Sequence, residues 1–309
     1  MLNSTIVTEF LLTRFSDVWE VRVLHAMLFL LMYLATLLGN LFIVTITTLD
    51  QSLHTPMYFF LRNLSVLDMC YISVIVPKAC TIFLFDSRVI STVECAAQIF
   101  LVFLFAFVEL LILTIMAYDR YMAICKPLHY PVIMNFQVCV QMSLASLFSG
   151  LVYAGFHTGT TFQLSFCQAK IVHQFFCDIP SLLKLSCSDT FINEMVLVVS
   201  TVVFGCGCFF LIILSYIHIF STVLKFPIRE ERGKAFSTCV PHILVVTVFV
   251  SSGAAVYMKP TSNSPTVQDM IISVFYSIVP PILNPIIYSL RNKQIKEAVR
   301  RIMSRMLYS

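Results

Sequence analysis

Seven long apolar segments constrain this chain more than any other feature of its sequence. They cover residues 25–48, 58–82, 96–118, 140–160, 195–221, 237–257 and 270–289. About 20 apolar residues in a helix span the roughly 30 Å hydrocarbon core of a bilayer. Because backbone groups in lipid must be paired within the segment, these lengths indicate helices. We therefore predict an all-α membrane protein built as a bundle of seven transmembrane helices.

Composition agrees with this fold class. Of the 309 residues, 59% are hydrophobic and only 12% are charged, and the mean hydropathy is +0.89. A water-soluble domain of this size could not carry such a composition. The connecting segments are short, and the two longest, 161–193 and 222–236, lack the composition of a linker. Residues 1–309 are therefore expected to form a single domain.

The distribution of basic residues predicts the orientation. Thirteen of the 20 Lys and Arg lie on the side that carries the C-terminus, and positive loops stay cytoplasmic. Residues 1–24 are then extracellular, with no cleavable signal peptide, and 291–309 form a cytoplasmic tail. Asn3 heads a glycosylation sequon on the outer side. The tail has helical apolar spacing opposite basic residues, which predicts an amphipathic helix on membrane lipid, the alternative being a disordered tail.

Four cysteines are predicted on the oxidising outer side. They are Cys95, Cys167, Cys177 and Cys187. Four cysteines allow three pairings, and the residues alone do not choose among them. An alternative is a metal site made of His173, Cys177 and Asp178. A cysteine held in a disulfide offers no thiolate to a metal, which argues against this alternative.

Asp119 and Arg120 lie side by side at the inner end of the third apolar segment. Holding two ionisable groups near hydrocarbon costs several kcal/mol unless they neutralise each other or face a polar cavity. The pair is flanked by Tyr118 and Tyr121. These features favour a functional switch over the alternative of a simple snorkelling anchor.

Motifs along nearly the whole chain resemble one receptor family. They are Met-Ala-Tyr-Asp-Arg-Tyr at 116–121, Leu-His-Thr-Pro-Met-Tyr at 53–58, Lys-Ala-Phe-Ser-Thr-Cys at 234–239 and Pro-Ile-Leu-Asn-Pro-Ile-Ile-Tyr at 281–288. The chain is similar in all of them to odorant receptors, a branch of the rhodopsin-like G-protein-coupled receptors. One departure is Val250, which stands where the family usually has tyrosine.

The resemblance implies a function and a location. The expected function is to bind a small, volatile, mostly hydrophobic odorant within the bundle and to activate a stimulatory olfactory G protein, which raises cyclic AMP. The expected location is the plasma membrane. The resemblance also implies disulfides Cys95–Cys177 and Cys167–Cys187, which would staple residues 161–193 as a lid.

Further roles follow for residues at the inner end. Arg120 is expected to contact the G protein once the sixth helix moves outward, with Tyr216 as its partner. Pro285 removes a helical hydrogen bond and should kink the seventh helix, so that Tyr288 moves with the hinge. The predicted switch residues are Asp119, Arg120, Tyr121, Tyr216, Pro285 and Tyr288.

Two isolated carboxylates lie well inside apolar segments. The resemblance implies that Asp68 and Glu109 face the interior near Asn284. Two interpretations stay open: a sodium ion bound by the three residues, or protonated carboxyls that make structural hydrogen bonds. No other cofactor is expected.

The predicted ligand pocket lies in the outer half of the bundle. Its lining is apolar and aromatic with a few hydroxyls, which suits a small hydrophobic molecule with one hydrogen-bonding group. The alternative is that these side chains only pack or face lipid. The candidate residues are Val102, Phe103, Ala106, Phe107, Leu197, Ser200, Phe204, Val250, Gly253, Ala254, Tyr257, Val274 and Ser277.

Other functions fit less well. A transporter is expected to show an internal repeat, and none is evident. No metalloprotease or nucleophile motif indicates an enzyme, and no module indicates a nucleic-acid partner. The main alternative is a chemosensory-type receptor that acts outside the olfactory tissue.

Overall fold

The computed structural model describes residues 8–166, 170–226, 229–257, 267–291 and 293–307. Asn3 and Cys167 lie outside the described residues, as do the side chains of Ala254 and Tyr257 and the surroundings of Gly253. The described helices are α1 (Trp19–Leu49), α2 (Pro56–Phe85), α3 (Thr92–Cys125), α4 (Tyr130–Ile133), α5 (Phe136–Phe162), α6 (Ile179–Leu183), α7 (Phe191–Val223), α8 (Arg229–Tyr257), α9 (Val267–Arg291) and α10 (Lys293–Leu307). The strands are β1 (Glu9–Leu12), β2 (Val89–Ser91) and β3 (Ile171–Val172).

Seven helices within these ranges are long and apolar enough to cross a membrane. They are α1, α2, α3, α5, α7, α8 and α9, and they correspond in order to the seven apolar segments. The predicted seven-helix fold is therefore confirmed, and α10 confirms the presence of a helix in the C-terminal tail. Below, the end of the bundle that carries the three strands is called the outer end, and the opposite end the inner end.

Local capping explains where two central helices begin. Ser91 accepts a hydrogen bond from the backbone N–H of Glu94, and the Glu94 carboxylate accepts one from the N–H of Ser91. This capping box starts α3 directly after β2. Asn135 similarly caps α5 by accepting from the N–H of Val138 at 3.0 Å. Such caps contribute about 0.5–2 kcal/mol each.

Helices α1 and α9 approach each other closely around Pro285. A Cβ atom at Gly39 would lie 3.1 Å from the Pro285 ring, a tighter contact than most Cβ atoms make, so glycine permits this close approach. Because Pro285 has no N–H, the carbonyl of Pro281 loses its helical partner. Asn40 replaces that partner by donating from Nδ2 at 3.2 Å. The adjacent residues Gly39 and Asn40 thus make the proline-containing part of α9 compatible with close packing.

The N-terminal segment forms part of a sheet instead of a simple tail. Strand β1 lies in the centre, antiparallel to β2 and parallel to β3, with Phe10 opposite Ile90 and Leu11 opposite Ile171. Phe10 is fully buried. Helix α1 begins at Trp19, six residues before the first predicted apolar segment. Pairing between short strands far apart in sequence leaves no local periodicity to detect.

Candidate functional site

Arg120 holds α3 and α8 together at the inner end. Its side chain is buried, and its Nε donates to the backbone carbonyl of Thr238 on α8 at 3.2 Å. A second nitrogen, Nη1, donates to the carbonyl of Met116 at 2.9 Å. No ion pair within 4 Å joins Arg120 to Asp119 in the described part of the chain. The guanidinium is therefore stabilised by two backbone carbonyls, one of which links α3 to α8.

Asp119 is bound by a residue of the inner loop. The hydroxyl of Tyr130, at the start of α4, donates to its Oδ1 at 2.8 Å. Burial, and then the negative charge of Asp119, raises the pKa of Tyr130, so this hydroxyl stays protonated and remains a donor. The neighbouring Tyr121 is half-buried against His218, with ring centroids 5.7 Å apart, and Lys126 lies 6.0 Å from its ring. The loop is thus anchored to the charged pair through Asp119.

Tyr216 bonds to a histidine in this conformation. Its hydroxyl shares a 2.6 Å hydrogen bond with Nδ1 of His242, which is fully buried on α8. The expected contact between Tyr216 and Arg120 stays a prediction for the conformation in which α8 has moved. The buried Tyr288 hydroxyl has no partner of regular hydrogen-bond geometry in the described residues. Tyr216 therefore joins α7 to α8 through His242.

The structure brings Asp68, Glu109 and Asn284 together inside the bundle. Asn284 Nδ2 lies 3.1 and 3.0 Å from the two carboxylate oxygens of Asp68 and 3.2 Å from Oε1 of Glu109. All three side chains are buried. Two ionised carboxylates at one amide are unfavourable without a proton or a cation. The Oδ1 atom of Asn284 is also buried without a partner among the described residues, so the set is rich in acceptors and fits a cation.

Four predicted ligand-binding residues converge in the outer half of the bundle. Phe103 and Phe107 extend from α3, and Ser200 and Phe204 from α7. The Phe107 and Phe204 rings meet edge to face, with centroids 5.4 Å apart. We call this set, with the two α5 residues described next, the aromatic cluster.

Two members of the aromatic cluster were missed by sequence reasoning. Tyr153 of α5 stacks on Phe107 with centroids 4.4 Å apart and an interplanar angle of 17°. His157, one turn further along α5 and buried, shares a 3.0 Å hydrogen bond between Nε2 and the Ser200 hydroxyl. An imidazole four residues after a tyrosine in an apolar segment was the available signal, because residues at that spacing share a helix face.

The remaining predicted pocket residues are more dispersed. Val102, Ala106 and Val274 pack against the outer part of the hydrophobic core. Val250 packs instead against the inner part of the core. Ser277 is fully buried and donates to the carbonyl of Ser273. Leu197 is buried, and its carbonyl accepts from Ser200 at 3.1 Å.

A disulfide joins the segment after α5 to the outer end of α3. It links Cys95 and Cys177, as expected. Gln98 strengthens the contact by accepting from the N–H of Cys177 at 2.8 Å and donating to the carbonyl of Val74 at 3.0 Å. Cys187 is also disulfide-bonded, and its pairing with Cys167 stays a prediction. The thiolate needed for the alternative metal site at His173 is absent, because Cys177 is oxidised.

Comparisons with known proteins agree with this architecture. A family model described as olfactory receptor matches residues 29–306. Human olfactory receptor 14C36 is 65% identical over 309 residues, which cover all of this chain and 99% of that protein. Human olfactory receptor 14A16 is 53% identical over 299 residues, which cover 97% and 96%. The crystal structure of squid rhodopsin has a TM-score of 0.72 at 17% identity and covers 93% of this chain and 82% of the rhodopsin chain.

The seven-helix membrane fold that the chain shares with squid rhodopsin defines its class of protein. Within that class, the chain belongs to the olfactory receptor family. It is a multi-pass membrane protein and an odorant receptor, and it is not an enzyme. Its ligand is an odorant and its protein partner is a G protein.

Proposed function

We propose that the receptor binds a small, neutral odorant at the aromatic cluster and activates a stimulatory olfactory G protein, which raises cyclic AMP. One observation carries this proposal. Helix α3 contributes Phe103 and Phe107 to the aromatic cluster in its outer half and Arg120 to the α8 contact at its inner end. A ligand that shifts α3 relative to α5 and α7 would therefore act on the inner contact through one rigid helix.

The chemistry of the aromatic cluster favours a neutral ligand with one oxygen. Phe107, Tyr153 and Phe204 supply flat apolar surfaces, with Tyr153 and Phe204 5.6 Å apart. The pair His157 and Ser200 can offer either a donor or an acceptor. The side chains of this cluster carry no carboxylate, ammonium or guanidinium group, so an ionised odorant would lose its hydration without gaining a counter-charge. Aldehydes, ketones, esters and alcohols match this surface.

The inner end supports coupling to a G protein. A concave surface of about 580 Å³ lies beside α3 and the inner loop and includes Tyr121, Lys126 and Leu128. Leu128 is 90% exposed, although it is a large apolar residue. A concave surface with an apolar side chain at its centre and a polar rim could accept a protein partner. Release of Arg120 from Thr238 would expose its guanidinium and add a positive charge to this surface.

We further propose the orientation and the cation site. The excess of Lys and Arg on the inner side supports an extracellular N-terminus in the plasma membrane. The carboxylates of Asp68 and Glu109 would hold a sodium ion, and Oδ1 of Asn284 would join them once the amide turns its Nδ2 away from the carboxylates. Such an ion would neutralise buried charge, and it would favour the closed receptor only through a higher affinity for that conformation.

The experiment is a cyclic AMP assay in cultured cells that contain the olfactory stimulatory G protein, with a panel of hydrocarbons, carboxylic acids and neutral oxygen-bearing odorants. We expect responses to the neutral oxygen-bearing group. Ser200→Ala removes one hydrogen bond of about 0.5–1.5 kcal/mol, so the concentration for half-maximal response should rise about 2- to 13-fold.

Ser215→Ala is the matched control, since Ser215 lies on the same helix and, among the described residues, its hydroxyl donates only to the Leu211 carbonyl of that helix. Its response should equal that of the wild type. An agonist whose potency is unchanged by Ser200→Ala would contradict the ligand site. An agonist that acts through another second messenger would contradict the proposed G protein while leaving the ligand site intact.

A further inference from the structure

The motif Leu-His-Thr-Pro-Met-Tyr, at residues 53–58, surrounds a cavity that the receptor function does not use. The cavity has a volume of about 310 Å³ and lies at the inner end, between the end of α1, the start of α2 and the start of α5. We infer that it binds the headgroup of an anionic phospholipid of the cytoplasmic leaflet. The lining residues are Thr47, Leu53, His54, Thr55, Pro56, Phe59, Arg62, Met134, Phe136 and Cys139.

The floor and one side of the cavity are apolar. Leu53, Met134 and Cys139 are buried at its floor. Phe59 and Phe136 meet edge to face with centroids 5.7 Å apart and join α2 to α5. Phe136 is 71% exposed, so an apolar surface continues outward from the cavity. A lipid bound here could place its glycerol region on this surface and its acyl chains along the exposed apolar side chains of the neighbouring helices.

Arg62 supplies a positive charge without an acidic partner. Its guanidinium lies 5.9 Å from the Phe59 ring, and Nη1 donates to the Thr48 hydroxyl at 3.3 Å. No carboxylate lies within 4 Å of it in the described part of the chain. A guanidinium is suited to phosphate because its N–H groups match two phosphate oxygens. His54 also lines the cavity, and its Nε2 donates to the Thr48 carbonyl at 3.1 Å.

The nearby acid does not cancel this charge. Asp50, in the same inner turn, accepts from the N–H and hydroxyl of Ser52 at 3.0 and 2.7 Å. It also accepts from Arg301 of α10 at 3.0 Å. The hydrogen bonds from Ser52, together with Arg301, hold the pKa of Asp50 below its usual value. Asp50 is therefore ionised but paired with another cation, and the cavity keeps the positive charge of Arg62.

The position of the cavity favours a lipid as its ligand. Helix α1 ends at Leu49 and helix α2 begins at Pro56, so the cavity lies at the depth where headgroups meet the hydrocarbon. Anionic lipids are concentrated in the cytoplasmic leaflet, and basic pockets between transmembrane helices on that side bind their headgroups. Positive charge, an apolar floor and interfacial depth all match an anionic phospholipid better than a zwitterionic one.

Photolabelling of the purified receptor in phosphatidylcholine nanodiscs tests this inference without an odorant. Photoactivatable phosphatidylserine should label residues 53–62 and 134–139, and the matching phosphatidylcholine probe should label them several-fold less. A basic residue near the surface contributes about 1 kcal/mol to anionic lipid binding, so Arg62→Gln should reduce the labelling about fivefold. Arg62→Lys should retain most of it. Lys225→Gln, an exposed basic position at the inner end of α7, is the control and should label as the wild type does.

Several outcomes would overturn the inference. These are equal labelling by the two probes, unchanged labelling of Arg62→Gln, and phosphatidylserine adducts confined to α10. The labelling of the wild-type receptor by the two probes shows which lipid is preferred, even if Arg62→Gln fails to fold. The disulfide between Cys95 and Cys177, measured on non-reducing gels, reports whether each variant has folded.

Discussion

Replacing Arg120 with alanine should make the inner end of the receptor open more readily and yet abolish its cyclic AMP response. In the closed conformation Arg120 contributes one hydrogen bond from a charged donor on α3 to the Thr238 carbonyl on α8. Such bonds contribute about 1.5–3 kcal/mol, so their loss would shift the balance toward an open α8 by about 10- to 150-fold. This range is an upper bound, because Arg120 is also expected to stabilise the open conformation through Tyr216. The same substitution removes the cation that we expect to contact the G protein.

Two measurements on one variant distinguish these effects. Hydrogen exchange of the backbone amides in α8 between residues 235 and 245 should accelerate in Arg120→Ala, because exchange follows the population of the open form. The cyclic AMP response to an agonist should disappear at matched surface expression. Lys296→Ala removes an exposed positive charge from α10 and serves as the control, with unchanged exchange and response. A normal cyclic AMP response from Arg120→Ala would refute the reasoning about the switch.

Three further outcomes are expected. Cys95→Ser and Cys177→Ser should each reduce surface delivery, and the double variant should be no worse than either single one, as measured by flow cytometry; an additive loss would mean that the two cysteines act separately. Glu109→Gln should abolish any stabilisation of the purified receptor by sodium over potassium, as measured by thermal unfolding, and a retained sodium effect would place the ion elsewhere. Tyr130→Phe removes the hydrogen bond to the Asp119 carboxylate, which contributes about 1.5–3 kcal/mol, so it should loosen the inner loop and raise its protease sensitivity; unchanged cleavage would show that this bond does not anchor the loop.

The helices could be predicted from the sequence because their signal is local. Each apolar segment is long enough to identify a spanning helix without knowledge of its neighbours. The convergence of Asp68 and Asn284, which are far apart in sequence, followed instead from the resemblance to a known family. The structure brings these two residues within hydrogen-bonding distance, although the sequence around each of them does not indicate that contact.

The other site residues could not be predicted, because the sequence does not show which face of each helix points into the bundle. Helix α5 has serine and glycine on several faces, so hydropathy did not reveal that Tyr153 and His157 face α3 and α7. The partner of Asp119 was also missed. The neighbouring Arg120 was the obvious ion-pair candidate in the sequence, whereas the inner loop folds back and presents Tyr130. Contacts of this kind depend on tertiary packing, and local patterns do not contain them.

The central position of β1 has a consequence for biosynthesis. Its residues leave the ribosome before those of both partners, since β2 follows only after α1 and α2, and Ile171 of β3 only after α5. At about 5–20 residues per second, β1 waits roughly ten to thirty seconds for that last strand. During this interval its edges are unpaired, and an unpaired edge is a surface that chaperones and other nascent chains can bind. Strand β1 is therefore made before both of its partners, and its pairing is completed only after α5 has left the ribosome.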